Sequence, residues 1–144
     1  MIETINIQSS VPVYEQIENH VQFAISSGKL KAGDRLPPVK ELAGRLGVNF
    51  NTVAKSYRDL EVMGLIFTRR GMGCFIKKGL ESKCRDRCRL RIVQHLHEVA
   101  QEAKAAGISK SELNEVIGKS FSSDSTPYGE LPASVLSLLK KKRK

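Results

Sequence analysis

Residues Pro37 to Phe75 have the sequence PPVKELAGRLGVNFNTVAKSYRDLEVMGLIFTRRGMGCF, and the organisation of the whole chain follows from them. In the first third, apolar residues recur three and four positions apart, which predicts a short helix that ends at Gly47. A second helix is predicted to begin just after Asn49, whose side chain can cap its first turn, and to end at Gly64. Two short helices at this spacing are typical of a helix-turn-helix.

The second helix is predicted to bury Val53, Tyr57 and Leu60 and to expose a polar side. That side carries short hydrogen-bonding groups that cluster toward its N-terminal half, which is the end of a recognition helix that enters a major groove. Of these groups, Asn51 is best suited to read an adenine. The polar set on this helix comprises Asn51, Thr52, Lys55, Ser56 and Arg58.

Two short strands, 65–68 and 74–76, are predicted around the basic turn Arg69-Arg70-Gly71-Met72-Gly73. The glycines allow a tight turn and a close approach of the backbone to a nucleic acid. Because neighbouring strand residues point to opposite sides, we expect Arg70 to follow the minor groove and Arg69 to meet a phosphate. This hairpin is interpreted as the wing of a winged helix.

The run from Gly28 to Ile76 resembles the winged helix-turn-helix domain of the GntR family of bacterial transcription regulators, and it is most similar to the small YtrA-type branch. The segments VPVYEQI at 11–17 and NTVAKSYRDLE at 51–61 carry the resemblance, together with the short remainder after the wing. The resemblance implies an α+β fold in which a winged helix-turn-helix precedes a short C-terminal helical hairpin for dimerisation.

Three positions depart from the family pattern. Phe50 and Ala54 stand where many members have arginine, and Lys40 replaces an arginine that presents a planar, two-pronged donor. In the loop before the first short helix, Arg35 is a candidate phosphate contact, with a surface pair to Asp34 or Glu41 as the alternative. The full set of expected DNA contacts is Arg35, Lys40, Asn49, Asn51, Thr52, Lys55, Arg58, Arg69, Arg70, Gly71 and Gly73.

The pattern changes after Gly79 to a long predicted helix, 80–106, with one apolar stripe. The capping sequence Ser109-Lys110-Ser111-Glu112 then opens a shorter helix. Two helices cannot bury both of their stripes alone, so we expect a second copy to cover them in an isologous dimer. The alternative is that the hairpin folds back on its own winged domain. The expected interface comprises Cys88, Ile92, Leu96, Val99, Ala103, Leu113, Val116 and Ile117.

The remaining segments complete a three-part organisation: a DNA-binding domain over 1–78, a helical dimerisation region over 79–122 and a flexible basic tail over 123–144. A short strand is expected at 4–8, followed by a scaffold helix from about Pro12 to Gly28. In the tail, 133–139 is a candidate for a brief helix, and the basic end 140–144 would attract phosphates or remain merely solvated.

Composition narrows the function. The chain has 144 residues and a net charge of +9, which suits a polyanion partner. It shows no long apolar run and no signal-peptide pattern, so we expect a cytoplasmic protein that does not enter a membrane. Cys84 and Cys88 lie one helical turn apart, but they share the apolar stripe, and buried cysteines are favoured over a metal site. No catalytic constellation is recognised, so neither enzymatic activity nor a cofactor is expected.

These features together predict a sequence-specific regulator of transcription that binds double-stranded DNA as a homodimer. Its operator would be an inverted repeat, and repression is the default because a bound dimer excludes polymerase. Any small-molecule effector would have to bind at the dimer interface or between the two domains. The alternatives are an architectural protein that binds nucleic acid without sequence preference and a winged-helix module that binds another protein.

Overall fold

A computed structural model describes Ile2 and residues 4–141, with side chains up to residue 138. The chain divides into two compact units, one up to Leu90 and one from Arg91 onward. No described helix is both long and apolar enough to cross a membrane. The elements are α1 Val13–Ser26, α2 Val39–Leu46, α3 Phe50–Val62, β1 Ile66–Arg69, β2 Gly73–Ile76, α4 Glu81–Ala106, α5 Lys110–Ser122 and α6 Ala133–Lys141.

The core of the first unit is organised around α1, which supplies the fully buried Ile17 and Val21. Helix α3 contacts both α1 and α2 and is followed directly by the wing strand β1. The predicted buried face of α3 is confirmed, because Val53, Tyr57 and Leu60 all belong to this core. The scaffold role predicted for the first helix is likewise confirmed.

The turn between α2 and α3 has the chemistry that the sequence predicts. Gly47 follows α2 in the left-handed conformation with φ of 67°, which a residue with a Cβ adopts only under strain. Two residues later, the side-chain Oδ1 of Asn49 accepts a hydrogen bond from the backbone N–H of Asn51 at 2.7 Å. Asn49 is therefore the N-cap of α3, and the helix-turn-helix is confirmed.

A third extended segment pairs with the two strands of the wing, although its sequence predicted a loop. Strands β1 and β2 pair antiparallel, from Ile66 opposite Ile76 to Arg69 opposite Gly73. The segment 33–36, here called the loop strand, runs along the other edge of β2 and bridges to it at Arg35 and Phe75. The hydrogen bonds from Leu36 N to Cys74 O and from Ile76 N to Asp34 O are both 2.9 Å long.

The short strand predicted at 4–8 is wrong, since these residues form no strand. A side chain takes the place of a partner strand. Gln16, which is fully buried on α1, accepts from Asn6 N through its Oε1 at 2.9 Å and donates from its Nε2 to Asn6 O at 2.7 Å. The backbone groups of Asn6 are thus satisfied without a sheet.

In the second unit, α5 begins as predicted, because the Ser109 Oγ accepts from the backbone N–H of Glu112 at 3.1 Å. Helix α6 packs against α5 and buries Val135 and Leu138. The region expected to be a basic tail therefore contains a helix with a buried face, in agreement with the brief helix expected at 133–139. Lys142, Arg143 and Lys144 lie outside the described residues.

Candidate DNA-binding surface

The solvent side of α3 carries a mixed polar and apolar surface. Asn51 and Arg58 are exposed, and because they are seven residues apart they lie on the same side of the helix, two turns apart. Phe50 is 53% exposed at the N-terminal end of this side and Val62 is 87% exposed at its C-terminal end. Thr52 is half-buried. The N-terminal half of α3 can thus present an amide and an aromatic ring to a nucleic acid.

Ser56, which we predicted on the exposed side of α3, is fully buried, and this prediction is wrong. Its hydroxyl lies 2.9 Å from the backbone oxygen of Tyr14 and 3.0 Å from that of Thr52. The contact between α1 and α3 covers this side of the helix. Ser56 therefore fixes the recognition helix to its scaffold and is not available to DNA.

Lys55 is held at the edge of the same contact. Its Nζ donates to the Oδ2 of Asp59 at 3.0 Å and lies 4.5 Å from the centroid of the Tyr14 ring. The hydrogen bond to Asp59 raises the pKa of Lys55. Its side chain is nevertheless 44% exposed, so Lys55 combines access to solvent with an existing ion pair.

Behind Asp59 lies Glu18 on α1, a carboxyl group that is only 5% exposed. Burial, and next the negative charge of Asp59 with a hydrogen bond to it, raise the pKa of Glu18 to about 8. Its Oε2 is the one buried side-chain oxygen or nitrogen without a hydrogen-bond partner in the described part of the chain. At neutral pH Glu18 is therefore mostly protonated.

The tip of the wing presents Arg69, Arg70 and Gly71 to solvent. The guanidinium of Arg69 lies 6.0 Å from the centroid of Phe67, whose ring stacks on that of Phe75. Gly71 has a φ of +79° in the turn. Arg69 thus lies at the end of β1, whereas Arg70 stands in the turn itself.

The loop strand brings Arg35 to the wing. A Cβ on Gly73 would lie 2.7 Å from the Arg35 Nε, so the guanidinium occupies the space that a side chain at Gly73 would need. Glu41 pairs instead with Arg45 at 2.8 Å, and the Asp34 Oδ2 accepts from the backbone of Lys31. Among the described residues, Arg35 forms no ion pair. Its charge therefore lies over Gly73, the wing residue that pairs with Arg69.

Two other predicted contacts lie on the helix-turn-helix. Lys40 is exposed in the first turn of α2, and Asn49 is exposed at the start of α3, where its Oδ1 is already used as the cap. The structure thus brings Lys40, Asn49, Asn51 and Thr52 onto the two short helices, and it brings Arg35 to the wing.

Of the cysteines, Cys84 is separate from this surface, whereas Cys74 lies in the wing strand β2. Cys84 is fully buried in the core of the first unit, and burial raises the pKa of its thiol to about 11, so the thiol stays protonated at neutral pH. Cys74 Sγ lies 3.5 Å from Thr68 Oγ1 in the wing. The described residues contain no group of three or more His, Cys, Asp or Glu that could hold a metal ion.

The expected dimer contacts differ in their exposure within the single chain. Ile92 and Leu96 are 50% and 49% exposed on α4, and Ile117 is 38% exposed on α5. Ala103 is only 5% exposed and is thus already covered within the single chain. The half-buried members of the set are Cys88, Val99, Leu113 and Val116.

Sequence reasoning missed the cluster of Tyr14, Glu18, Lys55 and Asp59. The spacing of four residues within each pair was visible, because such residues are neighbours on a helix. What the sequence did not reveal is that the two pairs meet across the α1–α3 contact.

A recognition helix with exposed polar groups, a basic hairpin after it and a third cation from the loop strand define a winged helix-turn-helix regulator. Comparison with known proteins then gives the family. The model of the bacterial regulatory proteins of the gntR family matches residues 13–76. The chain is 37% identical over 120 residues to the HTH-type transcriptional repressor YtrA of Bacillus subtilis, covering 83% of this chain and 92% of that protein.

Solved structures agree with this assignment. A GntR family transcriptional regulator from Listeria monocytogenes matches with a TM-score of 0.57 and 31% identity over 78% of this chain and 98% of that one. YtrA from Sulfolobus acidocaldarius, a GntR-family transcription factor, matches with a TM-score of 0.53 and 35% identity over 67% and 99%. The chain belongs to the GntR family and is a transcription regulator of the YtrA type. Its relatives are named as regulators, in agreement with the expectation that it is not an enzyme.

Proposed function

We propose that this chain represses transcription by binding, as a homodimer, to an inverted-repeat operator in the bacterial cytoplasm. The observation that carries the proposal is the placement of Arg35 over Gly73 of the wing, whose turn carries two further arginines, in the same compact unit as the exposed start of α3. Phosphate contacts set the register of a protein on a duplex, and base contacts then give the sequence preference. This unit offers groups for both.

Each group has a proposed role. Asn51 is the candidate for a base contact, because its amide can bond both hydrogen-bonding positions of an adenine edge. Arg70 is the candidate for the minor groove, where a narrow groove attracts a guanidinium. The proposed phosphate contacts are Arg35, Lys40, Asn49, Thr52, Lys55, Arg58 and Arg69, with Gly71 and Gly73 allowing close approach of the wing backbone.

Dimerisation is proposed from the apolar stripe of α4 and α5. Ile92 and Leu96 expose half of their surface in the single chain, and burying such side chains is favourable by roughly 25 cal/mol per Å² of apolar area. A second copy offers the same stripe, and a two-fold axis would place two recognition helices on two half-sites. The region 79–122 is thus proposed as the dimerisation region.

The test of DNA recognition is fluorescence anisotropy of the purified protein on the DNA upstream of its own gene and on a scrambled duplex. We expect the upstream duplex to be bound at least about 10³-fold more tightly. Asn51→Ala should reduce this preference by roughly 1–3 kcal/mol, and Arg70→Ala should weaken binding. Gln8→Ala, at an exposed amide side chain outside the helix-turn-helix, the wing and the region 79–122, is the matched control and should leave both affinities unchanged.

Equal binding to the two duplexes, with the same steep salt dependence, would favour the architectural protein over the specific regulator. A site selection across the genome would then distinguish an operator located elsewhere from no preference at all. Absence of binding to any duplex would favour the protein-interaction module, for which the exposed Phe50 and Val62 are the apolar groups on α3.

The test of dimerisation is light scattering at micromolar concentration. We expect a dimer mass for the wild type and a monomer mass for Leu96→Glu, since a charge in the stripe cannot be buried without a partner. Leu90→Glu is the control, because Leu90 is also exposed and lies nearly opposite Ile92, two residues away around α4. A monomeric wild type would exclude the two-half-site arrangement.

A further inference from the structure

Four side chains meet where α1 packs on the recognition helix. Tyr14 and Glu18 come from α1, and Lys55 and Asp59 come from α3. Asp59 accepts a hydrogen bond from the Lys55 ammonium at 3.0 Å, and the Tyr14 ring lies under the same ammonium at 4.5 Å. The only cation of this cluster is thus held by one carboxylate and one aromatic ring, at the flank of the helix that would enter DNA.

The second carboxyl group of the cluster, Glu18, is 5% exposed, and its Oε2 has no hydrogen-bond partner among the described residues. It is buried next to Asp59, and because two negative charges at this site are unfavourable, Glu18 keeps its proton to a higher pH than a free carboxyl group does. The charged or titratable groups that face Glu18 are Asp59 and Lys55 from α3 and Glu15 from α1. The cluster therefore carries one negative charge at Asp59 while Glu18 holds its proton, and two when that proton leaves to solvent.

A phosphate would bind the same ammonium that Asp59 binds. The Lys55 side chain is 44% exposed, and the flexible lysine stem can direct the ammonium toward solvent. An exposed ion pair such as Lys55 and Asp59 is weak, so a DNA phosphate can compete with it. A second negative charge behind Asp59 would strengthen the attraction of the Lys55 ammonium to the protein relative to its attraction to a phosphate.

We propose that Asp59 and Glu18 are positioning residues for Lys55, holding its ammonium against α1 in competition with DNA phosphate and holding it more strongly when Glu18 is ionised. This inference rests on the proposed function, since it requires that α3 binds DNA. It makes DNA affinity decrease as Glu18 loses its proton. The contact of Lys55 with Asp59 and Tyr14 lies on the side of α3 that faces α1.

The experiment is a double-mutant cycle on DNA affinity, measured by anisotropy at pH 7. Asp59→Asn should tighten binding by roughly two- to fivefold, because the competitor of the phosphate has lost its charge. In a Lys55→Gln background the same substitution should tighten binding no more than removal of any exposed negative charge from α3 does. Lys55→Gln alone should weaken binding and lower the slope of log affinity against log salt by about 0.9, the value for one phosphate contact.

Glu61→Gln is the matched control, because it removes one negative charge from the exposed side of α3. Any effect of this variant comes from general electrostatics and should be equal with and without Lys55. If Asp59→Asn behaved like Glu61→Gln in the two backgrounds, the proposal would be overturned. Thermal unfolding of each variant checks that the first unit remains folded.

A pH series provides a second measurement that does not depend on Asp59→Asn. The DNA affinity of the wild type should fall severalfold between pH 7 and pH 9 as Glu18 ionises. Glu18→Gln keeps a neutral hydrogen-bond donor and cannot ionise, so its affinity should not show this decrease. Identical pH profiles for the two proteins would overturn the proton link.

The two proposals fail differently. Equal affinity for upstream and scrambled DNA would refute the specific regulator, while the cycle could still be completed because a phosphate contact is independent of sequence. Specific binding with an additive cycle would refute only the positioning role. A wild type that bound neither duplex would refute both.

Discussion

Replacing Glu18 by glutamine should stabilise the first unit at neutral and alkaline pH. Glu18 is 5% exposed, and its neighbour across the α1–α3 contact is the carboxylate of Asp59. Glutamine has nearly the same shape, never ionises and can still donate a hydrogen bond to Asp59. The substitution therefore removes the cost of protonating Glu18 on folding at neutral pH, or of burying its charge at alkaline pH, and preserves the packing.

The magnitude follows from the pKa, which the fold raises from 4.5 to about 8. The folded chain binds this proton more tightly than the unfolded chain, so the stabilising effect is complete below pH 4.5 and is lost as the pH rises to about 8. The loss is about 1.4 kcal/mol per pH unit, which amounts to as much as about 3 kcal/mol at pH 7 and about 5 kcal/mol above pH 8. The total free energy of unfolding of a small domain is only about 5–15 kcal/mol.

The assay is urea unfolding followed by far-UV circular dichroism at fixed pH values from 5 to 9. The free energy of unfolding of the wild type should fall over this range more steeply than that of Glu18→Gln, and the two curves should diverge as the pH rises. Glu61→Gln, at an exposed carboxylate of α3, should follow the wild type. Parallel curves for wild type and Glu18→Gln would refute the reasoning, because they would mean that folding does not raise the pKa of Glu18.

Three further substitutions test local features of the DNA-binding unit. Gly73→Ala should destabilise it by roughly 1–2 kcal/mol or more in thermal unfolding, because φ is +109° and the new Cβ would meet Arg35, whereas Gly44→Ala, in open space on α2, should be neutral or stabilising. Asn49→Ala should cost about 1 kcal/mol by urea unfolding through loss of the α3 cap, and Asn49→Asp should restore most of it. Tyr57→Phe should cost about 1 kcal/mol in the same assay, because its hydroxyl donates to a backbone carbonyl in the loop before α2, and an unchanged midpoint would contradict that role.

Local signals in the sequence were sufficient for most of the fold. The helix ends at Gly47 and Ser109 depend on residues within a few positions of each other, so they are readable without tertiary information. The spacing of the apolar residues in α3, by three and four positions, likewise predicted which side packs on the core. The wing followed from two glycines and two arginines between short apolar runs.

The errors occur where a contact joins distant parts of the chain. Ser56 looks like an exposed polar residue because its partner, the backbone of Tyr14, is 42 residues away. The strand expected at 4–8 was replaced by a side chain of α1, since Gln16 can bond both backbone groups of Asn6. Neither contact can be predicted from the periodicity of the sequence. The same reason hides the Glu18–Asp59 neighbourhood from sequence analysis.

The pairing of the loop strand with β2 affects the entropic cost of binding DNA through the wing. A free hairpin with a basic tip would sample many orientations, and binding would have to freeze them at a cost in entropy. Here both edges of β2 are hydrogen-bonded, one to β1 and one to residues 33–36, so the hairpin is restrained before any ligand arrives. The backbone of the wing is therefore preorganised, so binding through its arginines, as proposed, would cost less ordering entropy than binding through a free hairpin.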